Sequence, residues 1–211
     1  MEAMFFNFCY CDNSYCKSKD KATVDISSFD LGSVTTMYQM FQCDKPENGK
    51  EDCLEVLKFP SASNGGDPVA ASVQNLSYMF RFRKHLLRID NLGEFTATAA
   101  TITNMQYMFS NVGASELDVS GINLDGYTKS GKNLFDTCDN LTTIYVAPGT
   151  DWSTVSFSDT TNMFLDDTNL VGKDITGNYP DFAFDSNYKK KDYARVNGLN
   201  GKNGYFTAKS A

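Results

Sequence analysis

Six cysteines and a single histidine carry most of the chemistry this 211-residue chain could offer. Cys9, Cys11 and Cys16 lie close together in a polar segment. A metal knot would need a fourth ligand that the segment lacks, since no paired Cys-x-x-Cys sets occur and the only histidine is His85. A local disulfide, or plain thiols, is the simpler expectation there. Cys43 and Cys53 bracket a polar turn containing Pro46 and Gly49. They are a candidate disulfide, and closing that loop would contribute about 3 kcal/mol through loop entropy. His85 has no serine or cysteine nucleophile at a recognisable motif spacing, so a surface histidine is expected. The sequence has no Gly-rich phosphate loop, no Gly-x-Ser-x-Gly and no His-Glu-x-x-His. The expectation is therefore a non-enzyme, with no catalytic residue, no cofactor and no metal. The one basic cluster, residues 81–88, interleaves Phe82 with Arg81, Arg83, Lys84 and Arg88. It could meet an acidic partner or a glycan, but a solvated turn is the plainer reading.

These residues sit on a recurring phrase. Met37-Tyr38-Gln39-Met40-Phe41 returns as Leu76-Ser77-Tyr78-Met79-Phe80 and as Met105-Gln106-Tyr107-Met108-Phe109. Weaker copies end at Phe5, Phe135 and Phe164, so the phenylalanines are 26 to 39 residues apart. A shared phrase at such a period means stacked repeats, because one copy cannot bury its own apolar face. The Met and Phe rows then read as core ladders. Six residues before the Met of each Met-Phe pair stands Val34, Val73, Ile102 or Phe157. After each phrase comes a strand-like unit with alternating apolar residues: Val24-Asp25-Ile26, Leu57-Lys58-Phe59, Leu117-Asp118-Val119 and Ile144-Tyr145-Val146, with Ile89-Asp90-Asn91 a poorer copy. Period-2 alternation marks strands with one buried face.

If those strands stack in parallel about 4.8 Å apart, their outward residues form rows. One row is Asp25, Lys58, Asp90, Asp118 and Tyr145; the row before it includes Arg88 and Glu116. The candidate partner-binding face is thus Asp25, Lys58, Arg88, Asp90, Glu116, Asp118 and Tyr145. Charges of both signs alternate there, as on a solvated sheet whose pairs balance one another. Asp90 beside Asp118 could hold a cation, but two carboxylates alone make a weak site.

The early repeats carry inserts at residues 6–21, 43–53 and 61–68, and loops on a rigid scaffold are where specificity tends to lie. Gly131 stands where the inner Met belongs, so a looser coil is expected between 120 and 135. Residues 171–211 leave the pattern, as a terminal cap would. Trp152 is expected to pack under it, with Tyr205 and Phe206 covering the last coil.

The net charge of −7 argues against nucleic acid or an anionic membrane as the main partner. No apolar run approaches membrane-spanning length. Met1 occupies the place of an inner Met of the phrase. The expectation is a chain that begins inside a coil, as a piece of a longer protein; the alternative is that residues 1–20 form an unusual N-terminal cap.

Three phrases resemble the BspA-like leucine-rich-repeat surface proteins. They are residues 24–41, then residues 141–152 (Leu-Thr-Thr-Ile-Tyr-Val-Ala-Pro-Gly-Thr-Asp-Trp), then Tyr193-Ala-Arg-Val-Asn-Gly198 with Gly204-Tyr-Phe-Thr207. Leu54, Leu86, Ala114 and Leu141, each three residues before a strand unit, complete the L-x-x-L-x-L spacing of that family's strand. The cysteine usually found three residues after Phe is kept only at Cys138. The resemblance implies a β-rich (α/β) right-handed solenoid of stacked parallel strands with short helical turns. It would have about six repeats over 1–170, the first incomplete, and a C-terminal cap over 171–211. It further implies an extracellular or cell-surface location, which permits disulfides. The partner would be a protein or glycan on a host or neighbouring cell, engaged in an adhesin-like way, without nucleic acid or membrane insertion. The alternative is a structural spacer with no ligand of its own.

Overall fold

The computed structural model describes residues 2, 4–7, 10–12, 22–43, 50–173 and 191–210. Cys9, Cys16, the Cys11 side chain and Met1 lie outside the described residues, as do their expected roles. Among the described residues run ten short strands: β1 (Tyr10–Asp12), β2 (Ala22–Asp25), β3 (Lys50–Asp52), β4 (Leu54–Lys58), β5 (Arg88–Asp90), β6 (Ala97–Thr98), β7 (Glu116–Asp118), β8 (Ile122–Asn123), β9 (Thr143–Val146) and β10 (Phe206–Ala208). Two three-stranded parallel sheets, in the orders β2-β4-β5 and β10-β9-β7, hold the strand units; β6 and β8 form a parallel pair. Helical structure among the described residues consists of single 3₁₀ turns such as Trp152–Thr154.

The core follows the repeated phrase. Phe5, Phe41, Phe80, Phe109, Phe135 and Phe164 form one stack. Successive ring centroids are 5.3, 5.7, 5.2, 5.4 and 5.5 Å apart, with planes within 15° of parallel. These separations exceed the ~4.8 Å between strands, so the rings slide into the offset geometry that aromatic quadrupoles favour. The main chain repeats the arrangement. The amides of Phe41, Phe80, Phe109 and Phe135 donate to the carbonyls of Met79, Met108, Leu134 and Met163 at 2.9, 2.9, 2.9 and 3.0 Å.

Met79 and Phe80 are adjacent yet both fully buried, as are Met40 and Phe41. Extended backbone would send neighbours to opposite faces. The residue before each pair solves this with a left-handed conformation: Gln39, Tyr78, Tyr107, Asn133 and Asn162 have φ of 53, 61, 58, 54 and 57°. That conformation costs a non-glycine residue about 1–2 kcal/mol. At Tyr78 and Tyr107 stacking offsets part of it, with the rings 4.9 Å apart and 9° from parallel.

Corners are closed by side chains. A carboxylate, amide or hydroxyl oxygen accepts the amide two residues on: Ser27 to Asp25 at 3.0 Å, Gly32 to Asp30 at 2.7 Å, Gln106 to Asn104 at 3.1 Å, Lys132 to Ser130 at 3.1 Å and Thr161 to Asp159 at 2.8 Å. These local bonds let the chain turn without leaving buried donors unpaired. The coil at Gly131 is not loose. A Cβ there would lie 2.5 Å from Met163 Cε and 2.9 Å from Phe157 Cε1, so the neighbouring repeat fills the missing side chain's place.

The inserts also differ from independent loops. β1 pairs antiparallel with β3, joining the first insert to the second with Tyr10 opposite Asp52. In the third, Ser61 is buried and its hydroxyl donates to Glu94 at 2.9 Å, while Asp67 bridges to Asp30. It is a packed corner of its coil. At the other end β10 adds a strand beside β9, with Phe206 opposite Ile144. Trp152 meets Phe206 edge-on at 5.0 Å, and Tyr205 and Phe206 close over Phe164 at 5.0 and 6.2 Å, as expected of a cap.

Candidate functional site

The outward rows exist within each three-stranded sheet. Asp25, Lys58 and Asp90 are in register across β2, β4 and β5, and so are Thr23, Val56 and Arg88. Glu116 pairs with Thr143, and Asp118 with Tyr145, across β7 and β9. β10 extends the second row with Thr207 beside Tyr145. Among these residues Thr143 and Thr207 are buried, so the face is interrupted at both.

Five of the seven face residues fall around the boundary between the sheets. Four of them, Arg88, Glu116, Asp118 and Tyr145, line a groove of about 790 Å³, with Ile89 in its wall and Lys209 from the end of the chain opposite. Asp90 stands behind Arg88, its carboxylate 3.0 Å from the guanidinium Nε in an ion pair. Asp25 and Lys58 lie outside the groove and pair with each other at 3.0 Å. β5 and β7 share no ladder among the described residues, so the sheet is interrupted there and Ile89, an inward residue of its strand, is reached from outside.

The electrostatics of this face are local. Hydrogen bonds from Ser27, and then from Lys58, hold the Asp25 carboxyl at about 2. Lys209 Nζ reaches Asp118 Oδ2 at 2.5 Å, and the other oxygen of Asp118 accepts from Ser120 Oγ at 2.6 Å. Partial burial, and then the neighbouring Glu116 carboxylate, push the Tyr145 phenol up. The cation pair Asp90 and Asp118 is therefore committed to Arg88 and Lys209. Among the described residues no group of three or more His, Cys, Asp or Glu side chains is placed to hold a metal ion.

The basic cluster does not behave as a solvated turn throughout. Lys84, His85 and Arg88 are exposed, but Arg83 is wholly buried. Its Nη1 donates to Asp52 Oδ1 at 2.7 Å, its Nη2 to the Phe5 carbonyl at 3.2 Å, and its Nε to the Phe41 carbonyl. Arg81 lies over the rings of Phe82, Tyr107 and Tyr78, with its guanidinium carbon 4.2, 4.9 and 5.2 Å from their centroids. The position three residues after Phe80, Phe109, Phe135 and Phe164 is inward: Arg83, Val112, Cys138 and Asp167 occupy it and all are buried. Cys43 is buried and Cys53 half-buried, yet no disulfide joins them among the described residues. The Asp52–Arg83 pair ties down the end of that insert instead.

Asp167 is the second buried charge-bearing residue in that slot. Its Oδ1 accepts the Cys138 amide at 2.8 Å, and Oδ2 has no partner. Burial raises its carboxyl to about 9, and burial likewise raises the Cys138 thiol. Neither lines the groove at the strand face. No helix of the described residues is long and apolar enough to cross a membrane.

No curated protein and no solved structure matches the chain. A family described as "Mycoplasma protein of unknown function, DUF285" matches residues 10–51 and 63–178, more than half of the sequence. Its match takes in the phenylalanine stack from Phe41 to Phe164 and the face strands β2, β5, β7 and β9, and the chain belongs to this family.

Proposed function

We propose that this chain is a non-catalytic binding module of a BspA-like, leucine-rich-repeat surface protein, its repeats wound as a right-handed solenoid. It engages a protein or glycan outside the cell through the outward strand face. The observation that carries this reading is the groove of about 790 Å³, lined by Arg88, Glu116, Asp118 and Tyr145. That volume is in the range of ligand sites, about 300–1,000 Å³. The phenylalanine stack supports it indirectly, since a rigid interior fixes the positions of the outward side chains. The inserts matter less to recognition than their length suggests, because Ser61 and Asp52 are built into the core.

The rival reading is a spacer that holds other domains away from a surface. The most exposed large apolar side chains among the described residues, Met4, Leu87 and Val69, are far apart in sequence, which suits a spacer as well. The test is to present the chain to an array of matrix proteins and glycans beside an Arg88→Glu/Tyr145→Ala variant. Capture lost in the variant, with an unchanged melting transition, supports the face. Capture that persists in the variant moves binding off this face and overturns the reading, and no capture at all favours the spacer.

A further inference from the structure

Resting on that reading of the face, we infer that the groove's ligand is a neutral oligosaccharide. Its walls alternate apolar surface with hydrogen-bonding groups. Ile89, Pro148 and Ala208 supply aliphatic surface, and Tyr145 a half-exposed ring. Sugars present the matching pattern, with C–H faces that pack on rings and hydroxyls that both donate and accept.

Charge selects among glycans and against most other ligands. Arg88 is held by Asp90 at 3.0 Å and Lys209 by Asp118 at 2.5 Å. Glu116 and Lys173 both lie beside the Tyr145 phenol, with opposite effects on its titration. Three cations thus stand against three carboxylates at this face, four of the six groups as two direct ion pairs. A sulfated or sialylated ligand, or a basic one, would have to separate these pairs and gains no net field in return. An uncharged hydroxyl bonds to either member of a pair without breaking it.

The experiment uses the whole chain against an array holding neutral oligosaccharides, sialylated and sulfated oligosaccharides, and unstructured peptides, followed by calorimetric titration of the hits. The inference expects capture of neutral oligosaccharides, with an affinity that barely changes between low and high salt. Tyr145→Ala should weaken it about tenfold through loss of the ring, Tyr145→Phe should keep it, and Lys58→Ala, outside the groove, should leave it unchanged. Capture of no neutral oligosaccharide overturns the inference. If sulfated glycans or peptides bind instead and Tyr145→Ala abolishes that binding, the neutral class is wrong and the face reading stands. Binding indifferent to Tyr145→Ala removes both.

Discussion

The guanidinium of Arg83 lies 2.7 Å from the Asp52 carboxylate, and both side chains are sealed from water. Arg83 comes from the second phenylalanine phrase and Asp52 from the insert before it. The pair therefore fastens the β1–β3 ribbon to the stacked core. Asp52 also accepts the Leu54 amide at 3.1 Å, at the start of β4. Burying two charges is costly, so such a pair is tolerated only when its remaining donors and acceptors are met. Here the carbonyls of Phe41 and Phe5 meet them.

Removing one partner should therefore be severe. Asp52→Ala or Arg83→Met is expected to cost about 3–5 kcal/mol, because each strands a buried charge or buried carbonyls. The double variant Asp52→Ala/Arg83→Met should cost less than the sum of the two. Urea unfolding of the four proteins, read as a double-mutant cycle, measures the coupling.

Asp167 gives the protein a pH dependence of definite sign. Its carboxyl is raised from 3.8 to about 9 by burial. Between those values the folded chain keeps a proton that the unfolded chain has lost. Stability from this group is thus fully present at low pH and declines as pH rises toward 9, by at most about 1.4 kcal/mol per pH unit. Asp167→Asn keeps the acceptor for the Cys138 amide and removes the ionisation. Melting temperatures measured from pH 5 to pH 9 should fall less steeply in the variant, with the largest gain at the alkaline end.

Gly131 tests whether the interior is as full as its contacts indicate. Restoring the inner methionine of the phrase, Gly131→Met, should destabilise the protein by about 1–3 kcal/mol through overpacking. The clashing atoms are Met163 Cε and the Phe157 ring. A chemical-denaturation midpoint equal to or above that of the native chain would mean that the slot is open.

The stacked core and the strand rows were legible because they rest on residue periodicity. The phrase repeats with its phenylalanine, and a period of two in Leu117-Asp118-Val119 places one residue outward. The register of Asp25, Lys58 and Asp90 follows from the same alternation. What escaped has a different origin. Arg83 reads as surface by residue type, and only its position three after Phe80, an inward slot, points to burial. β1 and β3 come from inserts with no repeat to compare. Gly131 looks like a weak coil because the side chains that fill its place belong to the following repeat. The groove itself arises from a missing ladder between β5 and β7, and a gap in pairing leaves no pattern in either strand alone. The helical turns are single 3₁₀ turns such as Trp152–Thr154, where Asp151 accepts the Ser153 amide at the start.

The whole account depends on successive repeats sharing one interior. Native-state hydrogen exchange at the amides of Phe41, Phe80, Phe109 and Phe135 tests this most directly, since each donates to the next repeat. The account predicts that all four exchange only through global unfolding, with the same free energy and the same dependence on denaturant. Rapid exchange at any of them, or four unrelated opening energies, would contradict it.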